Sequence, residues 1–150
     1  MDYKEVTKKI KEILDSQDEN KIQTVVDFLQ SQFQTYSWVG IYIVKNDVLH
    51  LGPWNGPHAT EHTKIPIGHG ICGSAAKTGK TENIADVRAD ERYLSCFIST
   101  RSEIVVPIIY KESIIGEIDI DSDQPNAFNH SDEHFLKEIA DMLGAHIHNM

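Results

Sequence analysis

Apolar residues recur at helical spacing twice near the start of the chain and once near its end. In chain order these positions are Val6, Ile10, Ile13 and Leu14, then Ile22, Val25, Val26, Leu29 and Phe33, and finally Phe135, Ile139, Met142 and Leu143. Polar residues separate them, so the pattern predicts three amphipathic helices. Asn129, with Asp132 three residues further on, has the spacing of a cap at the start of the last helix.

The middle of the chain changes to short runs of β-branched and aromatic residues, which predict strands. "SWVGIYIV" and "VLHLG" flank Asn46-Asp47, and "SEIVVPIIY" and "SIIGEIDID" flank Lys111-Glu112, so each pair predicts a hairpin. "HTKIPI" and "TENIAD" predict two shorter strands. Pro107 lies inside a strand, where a residue without an N–H favours an edge or a bulge.

This order of elements predicts an α+β fold, a central antiparallel β-sheet with the N- and C-terminal helices packed on one face. A short helix over 71–78 is expected to end at Gly79, and residues 86–101 read as a polar loop. With 150 residues, the chain is expected to form a single domain over 1–150. The N-terminal helices would occupy 1–35, and 36–150 would hold the sheet, the site loops and the last helix.

Composition narrows the classes of function. The chain has 14 Lys+Arg and 23 Asp+Glu, a formal net charge of −9. An acidic surface of this kind argues against nucleic acid and against anionic membranes as partners. No apolar run approaches the roughly 20 residues of a membrane span, and the N-terminus lacks the apolar core of a signal peptide. The expected location is therefore cytoplasmic. Neither a CxxC pair nor a Cys/His cluster occurs, so no metal site and no cofactor is predicted.

The chain has two cysteines, which a reducing cytoplasm would keep as thiols or use for redox chemistry. Cys72 lies within Gly70–Gly73, at the predicted start of a helix, where free N–H groups would lower its pKa and could hold an oxygen of a ligand. The alternative is a small buried residue. Cys96 lies in the polar loop near Arg92 and Arg101, a setting typical of a reactive thiol, although a loop cysteine without function fits equally.

Acidic residues alternate with apolar ones along one predicted strand. Glu117, Asp119 and Asp121 are spaced two apart, which places them on one face and two isoleucines on the other. Glu103 opens the preceding strand. Such acids could bind an ammonium group or donate a proton, or they could form a solvated strand face. In the same way, Trp38, Tyr42 and Trp54 would either wall a pocket or belong to the core.

Six segments together resemble the free methionine-(R)-sulfoxide reductases, a family built on a single GAF domain. They are "SWVGIYIV", "LGPWNG", "IPIGHGICGSAA", "IADV", "SEIVVP" and "IIGEIDIDSD", in this order, and the resemblance runs from about Trp38 to the last helix. It implies reduction of the R-sulfoxide of free methionine. The family's nucleophilic cysteine corresponds to Cys96 and its resolving cysteine to Cys72. Its pocket acids correspond to the three residues Glu103, Asp119 and Asp121.

The resemblance also implies substrate contacts at Trp38 and Asp86. Tyr42 and the segment Gly70, Ile71 and Gly73 complete the expected substrate site, the latter through backbone N–H groups that would hold a carboxylate. This sequence departs from the family pattern in two places. Many members have a third cysteine where residues 58–65 have none, and an acid where Phe97 follows the nucleophile.

The expected partners are free methionine sulfoxide and a thioredoxin-like dithiol, and the N-terminal helices are a candidate homodimer face. Two other interpretations stay open at this point. One is a non-catalytic GAF module that senses a small ligand. The other is a redox switch that uses only the two thiols.

Overall fold

The computed structural model describes residues 2–94 and 97–148 of the chain. Its helices and strands are, in order, α1 (Tyr3–Asp15), α2 (Lys21–Gln32), β1 (Trp38–Lys45), β2 (Val48–Asn55), β3 (Lys64–Pro66), α3 (Gly70–Thr78), β4 (Glu82–Ile84), β5 (Ser102–Tyr110), β6 (Ser113–Ser122) and α4 (His130–Ile147). A single 3-10 turn, Val87–Ala89, lies within the segment predicted to be an irregular loop.

The strands form one antiparallel sheet in the order β3-β2-β1-β6-β5-β4. Helices α1, α2 and α4 pack on one face of the sheet, where they share a core with apolar side chains of β1, β5 and β6. Helix α3 packs on the opposite face with a smaller apolar cluster. The predicted α+β fold, with terminal helices on one face, is confirmed.

The two faces follow from the period-two alternation of strand residues. On β6, Ile118 and Ile120 belong to the core beneath the terminal helices. On the neighbouring strands, Tyr42 and Val105 point the other way and pack against α3. The sheet is therefore covered on both sides at its centre, and residues on the α3 side lie between the sheet and a helix.

Both predicted hairpins are present, and both turn residues of each have left-handed backbone. Asn46 and Asp47 have φ of 53° and 61°, and Lys111 and Glu112 have φ of 49° and 68°. Two consecutive left-handed residues are the signature of the tight turn that matches strand twist. Asn and Asp tolerate this conformation well, whereas Lys and Glu do so at a cost.

Pro107 lies in a part of β5 that pairs with a neighbouring strand on one side only. Strand β4 pairs with β5 only from Glu103 to Val105, so Pro107 lies beyond its end. A register shift follows between Ile108 and Ile109, opposite β6. The prediction of an edge position or a bulge is confirmed, because both features occur there.

Helix α4 begins with a reciprocal cap that also ties the terminal helices together. The Asn129 side chain accepts from the Asp132 N–H at 3.0 Å, and the Asp132 carboxylate accepts from the Asn129 N–H at 2.9 Å. Asp132 also accepts from the hydroxyl of Tyr36 at 2.6 Å and of Tyr3 at 3.0 Å. This buried carboxylate thus connects α4 to α1 and to the segment that precedes β1.

Within residues 2–94 and 97–148, none of the helices combines the length and the apolar character that crossing a membrane requires.

We expect Asp132→Ala to lower the free energy of unfolding by roughly 2–4 kcal/mol, because it leaves the buried Tyr36 hydroxyl without its acceptor and removes half of the cap. Urea titration followed by circular dichroism measures this. The control is Asp141→Ala, an exposed acid on the same helix, which should change stability by less than about 0.5 kcal/mol. Equal effects of the two substitutions would contradict the linking role of Asp132.

Candidate active site

The alternating acids of β6 lie buried on the sheet face that α3 covers. The exposed fraction is 0% for Glu117, 3% for Asp119 and 2% for Asp121, and Glu103 on β5 is 4% exposed. The sequence prediction that the acids share one face is confirmed. The alternative of a solvated strand face is wrong, because α3 and the loops around it exclude solvent from this side of the sheet.

The sheet register groups the other site residues around these acids. On β5, Glu103 pairs directly with Asp121. On β1, Trp38 pairs with Asp121 and Tyr42 pairs with Glu117. Residues directly opposite one another in a sheet point to the same side. With Asp119, six residues from three strands therefore point to one side of the sheet.

Cys72 reaches the same cluster from α3. Its thiol donates to the Oε2 of Glu103, with 3.9 Å between Sγ and oxygen. Cys72 is only 6% exposed, and it packs in the small apolar cluster between α3 and the sheet. The structure thus places a thiol and several carboxyl groups in one buried volume.

Burial raises the pKa of the β6 carboxyl groups. The pKa of Glu117 and that of Asp121 are raised well above their usual values, first by burial and then by the charge of Asp119. Burial also raises the pKa of Asp119, and hydrogen bonds with Glu103 and Cys72 offset part of that shift. A hydrogen bond between two carboxyl groups needs a proton on one of them. The cluster therefore retains protons at a pH where exposed acids have lost theirs.

The pKa of Cys72 is raised well above its ordinary value, which corrects the sequence prediction. Burial is the largest cause, followed by the negative charges of Asp119, Glu117, Glu103 and Asp121. The thiol does lie at the start of a helix, as predicted, but the partial positive charge of a short helix is small compared with desolvation and four carboxyl groups. Cys72 is therefore a protonated thiol at neutral pH.

Trp38 lies across the sheet beside the acids, and two glycines make room for it. A Cβ atom on Gly40 would lie 2.3 Å from the Trp38 ring, and one on Gly56 would also lie 2.3 Å from it. Trp54 stacks on this indole with 6.1 Å between ring centroids, and Phe97 meets it at 5.8 Å with the planes tilted by 47°. Trp38 is thus held rigidly as one wall of the site.

The start of α3 supplies part of the predicted oxygen-binding turn. The helix begins at Gly70, which has φ of +68°, so the N–H groups of Gly70, Ile71 and Cys72 precede the first intrahelical bonds. The Gly73 N–H, by contrast, donates to the carbonyl of His69 at 3.0 Å. The Gly73 N–H is thus engaged within the helix, and a contact of Gly73 with the substrate stays a prediction. The structural reason for a glycine at this position is space, because a Cβ there would lie 2.7 Å from the carbonyl oxygen of Pro66.

Two small clefts are lined in part by the acids. The first reaches Asp121 and is lined by Ser37, Trp38, Pro57, His58, Phe97, Ser99, Thr100 and Asp123. The second reaches Glu103, Asp119 and Cys72 and is lined by Tyr42, Ile65, Ile71 and Leu94. Predicted site residues thus line both clefts. A more open groove between α1 and α4 lies on the helix side of the sheet, away from this cluster.

Among the described residues, two that the sequence analysis singled out, Asp86 and Arg92, make contacts away from the cluster. Asp86 caps the 3-10 turn by accepting from the Arg88 N–H at 3.1 Å, and it lines neither cleft. Arg92, expected to influence the loop cysteine, forms ion pairs of 2.9 Å with Glu82 and Asp90. Cys96 itself lies outside the described residues, so its assigned role stays a prediction.

Three residues of the site were missed by sequence reasoning. Glu117 was noted for its spacing but was not assigned to the site, although it is fully buried beside Cys72. Gly40 makes room for Trp38, and Leu94 lines the second cleft and contacts the start of α3. The alternation on β6 was a signal for Glu117. Gly40 and Leu94 act through contacts between distant parts of the chain, which carry no local signal.

Comparison with known proteins agrees with this geometry. Residues 19–147 match the GAF domain family. The free methionine-R-sulfoxide reductase of Escherichia coli is 35% identical over 115 residues, which cover 77% of this chain and 68% of that protein. The chain therefore belongs to the GAF domain family, in the group that contains the free methionine-R-sulfoxide reductases.

Solved structures of that group superpose over almost the whole chain. A free methionine-R-sulfoxide reductase from Neisseria meningitidis, in complex with its substrate, has a TM-score of 0.89 and 35% identity, covering 97% of this chain and 88% of that one. A type II enzyme from Thermoplasma acidophilum has a TM-score of 0.84 and 38% identity, covering 93% and 96%. The resemblance seen in the sequence is thereby confirmed.

We expect the Cys72 thiol, measured in a Cys96→Ser protein, to titrate above the same thiol in the unfolded chain. A raised pKa means that thiolate forms only at higher pH, so the rate of alkylation by iodoacetamide should rise later along the pH scale in the native protein. Mass spectrometry at a series of pH values, with and without urea, gives the two profiles. A native profile that rises at or below the unfolded one would contradict the effect of the buried acids.

Proposed function

We propose that this chain is an oxidoreductase that reduces the R-sulfoxide of free methionine to methionine at the expense of a dithiol. The observation that carries the proposal is the buried set of Glu103, Asp119 and Asp121, placed beside Cys72 and Trp38 by the sheet register. Burying several acids is costly, and groups whose pKa is strongly shifted by burial are concentrated at functional sites. The relatives named above supply the reaction.

In the proposed reaction, the Cys96 thiolate attacks the sulfoxide sulfur. One of the three pocket acids gives a proton to the sulfoxide oxygen. The bond between that oxygen and the methionine sulfur breaks, and the oxygen ends on the Cys96 sulfur as a sulfenic acid. The sulfoxide is reduced to the thioether of methionine, and Cys96 is oxidised by two electrons. Carboxyl groups whose pKa burial has raised are suited to this donation, because they retain a proton near neutral pH.

Cys72 then attacks the sulfenic acid, which forms a Cys72–Cys96 disulfide and releases water. An external dithiol of the thioredoxin class reduces that disulfide by thiol–disulfide exchange and restores both thiols. A high pKa keeps Cys72 protonated while the substrate binds, which suits a thiol that reacts second. With no other cysteine in the chain, these two sulfur atoms complete the cycle.

The same cluster accounts for a free amino acid as substrate. The remaining carboxylates would bind the α-ammonium group, and the N–H groups of Gly70 and Ile71 at the start of α3 would bind the α-carboxylate. The Trp38 face would pack against the side chain of the substrate. Tyr42, which lines the second cleft, completes the proposed contacts of this cluster, and a contact with Asp86 rests on the family resemblance alone. Residues within a peptide lack both charges and would leave these groups unpaired.

Two further features of the proposal concern the whole protein. We infer that it works in the cytoplasm, where a dithiol reductant is maintained. We also infer that the N-terminal helices provide a homodimer face, away from the two clefts that the site residues line.

The direct test supplies free methionine-(R)-sulfoxide, or the S epimer, with dithiothreitol and measures methionine formed. We expect turnover of the R epimer only, and a fall of at least about 1,000-fold in kcat for Cys96→Ser, which removes the nucleophile. Ser113→Ala, which removes an exposed hydroxyl at the first residue of β6, is the control and should retain activity. A GAF sensor or a simple thiol switch would give no methionine at all.

Cys72→Ser separates the resolving step from the first step. With thioredoxin as the reductant we expect turnover to stall after one equivalent of methionine per chain, because the sulfenic acid has no internal partner. Dithiothreitol should restore part of the activity by reducing the sulfenic acid directly. Thioredoxin-driven turnover at the parent rate would remove Cys72 from the proposed mechanism.

Blocking the charged groups of the substrate tests the proposed binding mode. N-acetyl-methionine-(R)-sulfoxide has no ammonium group, and we expect its kcat/KM to be lower than that of the free amino acid by at least about 100-fold, because buried carboxylates are left unpaired. The methyl ester tests the carboxylate contact in the same way. Comparable kcat/KM values for the free and acetylated substrates would refute ammonium binding by the acids.

A further inference from the structure

The buried cluster has a second chemical property, which is that a thiol and two carboxyl groups converge on one point. The Sγ of Cys72 and one oxygen from each of Glu103 and Asp119 all lie within 4.8 Å of one another, and all three residues are buried. Sulfur and oxygen ligands on a tetrahedral zinc ion lie about 3.6 Å apart, given bond lengths of about 2.3 and 2.1 Å. The observed distance from Sγ to Oε2 is 3.9 Å.

A second and independent observation points to a ligand in this volume. Glu117 is 0% exposed and its carboxylate lies near the Cys72 thiol, yet within residues 2–94 and 97–148 neither of its oxygens has a donor that meets hydrogen-bond geometry. Asp119 and Asp121 each have one further oxygen in the same state. Across residues 2–94 and 97–148, the ion pairs formed by arginine and histidine involve acids other than Glu117, Asp119 and Asp121.

We propose that the reduced protein binds one thiophilic divalent cation, of which Zn²⁺ is the physiological example, through Cys72, Glu103 and Asp119. Sulfur among the ligands selects zinc-like ions over Mg²⁺ and Ca²⁺, which take oxygen ligands. Glu117 and Asp121 lie beside the ligands and add negative potential. Three protein ligands leave the fourth position of a tetrahedral ion to water or to another small ligand.

All three proposed ligands line the second cleft, together with Ile65 and Leu94. Binding would have two consequences for the reaction proposed above. These consequences rest on the proposed function, whereas the binding site itself does not. The ion would occupy carboxylates that otherwise bind the substrate ammonium, and it would hold the Cys72 sulfur that forms the disulfide. Zn²⁺ would therefore inhibit reduction, and oxidation of Cys72 would release the ion.

The test for binding uses the Cys96→Ser protein, in which Cys72 is the single thiol, freed of metal and kept reduced. Co²⁺ is the spectroscopic probe, because a thiolate ligand gives an intense charge-transfer band in the near ultraviolet. Competition with a chromophoric chelator measures Zn²⁺ affinity and stoichiometry. We expect the thiolate band and one ion per chain. Absence of the band, or binding of much less than one ion per chain, would overturn the proposal.

Variants separate this site from the scattered histidines, such as His146 and His148, as metal ligands. We expect Asp119→Asn to weaken Zn²⁺ binding by at least about tenfold, since even an outer partner of a metal ligand contributes that much. Asp123→Asn is the matched control, an exposed acid on the same segment with the same change of charge, and should bind as the parent does. Equal affinities of the two variants would place the ion elsewhere.

A protection experiment avoids any substitution at the ligands, in case those variants fold poorly. Zn²⁺ should slow the alkylation of Cys72 by N-ethylmaleimide at least about tenfold, while Mg²⁺ at the same concentration should not. Unchanged alkylation in the presence of Zn²⁺ would overturn the proposal. Because the readout is modification of one thiol, it is independent of whether the protein reduces methionine sulfoxide.

Discussion

The register of strand β6 is the constraint on which the rest of the structure depends. It lies between β1 and β5, so both of its edges are hydrogen-bonded, and both of its faces are covered. Ile118 and Ile120 fill the core beneath the terminal helices, while Glu117, Asp119 and Asp121 face α3. A slip of one residue would exchange these sets and bury three acids in an apolar core. Core packing therefore fixes the position of the site chemistry.

That arrangement costs stability where the chemistry is. Ionising a buried acid with no compensating cation is unfavourable, and its raised pKa is the measure of that cost. As pH rises from the ordinary pKa values of these acids towards the raised ones, the unfolded chain loses protons that the folded chain keeps, so the free energy of unfolding falls. The core on the other face, rich in Val, Ile and Leu, offsets this. Local conflict of this kind is typical of functional sites.

Periodicity was enough to predict most of the fold. Helical spacing located α1, α2 and α4, and strand alternation located both hairpins and placed the three β6 acids on one face. What it missed depends on contacts between distant segments. That α3 covers the acids, that Gly40 makes room for Trp38, and that Asp86 caps a turn all follow from tertiary packing. The single-domain organisation and the roles of the individual site residues stay predictions.

The Cys72 thiol shows why local reasoning about reactivity fails in such a site. A helix N-terminus lowers the pKa of a thiol by offering partial positive charge, and this is all that the sequence around Cys72 reveals. The opposing charges come from β5 and β6, at least 31 positions further along the chain, and they act across a volume from which water is excluded. In that medium carboxyl groups outweigh a helix dipole. A thiol that is held protonated attacks slowly, so this environment makes Cys72 a poor nucleophile for the first step of a reaction.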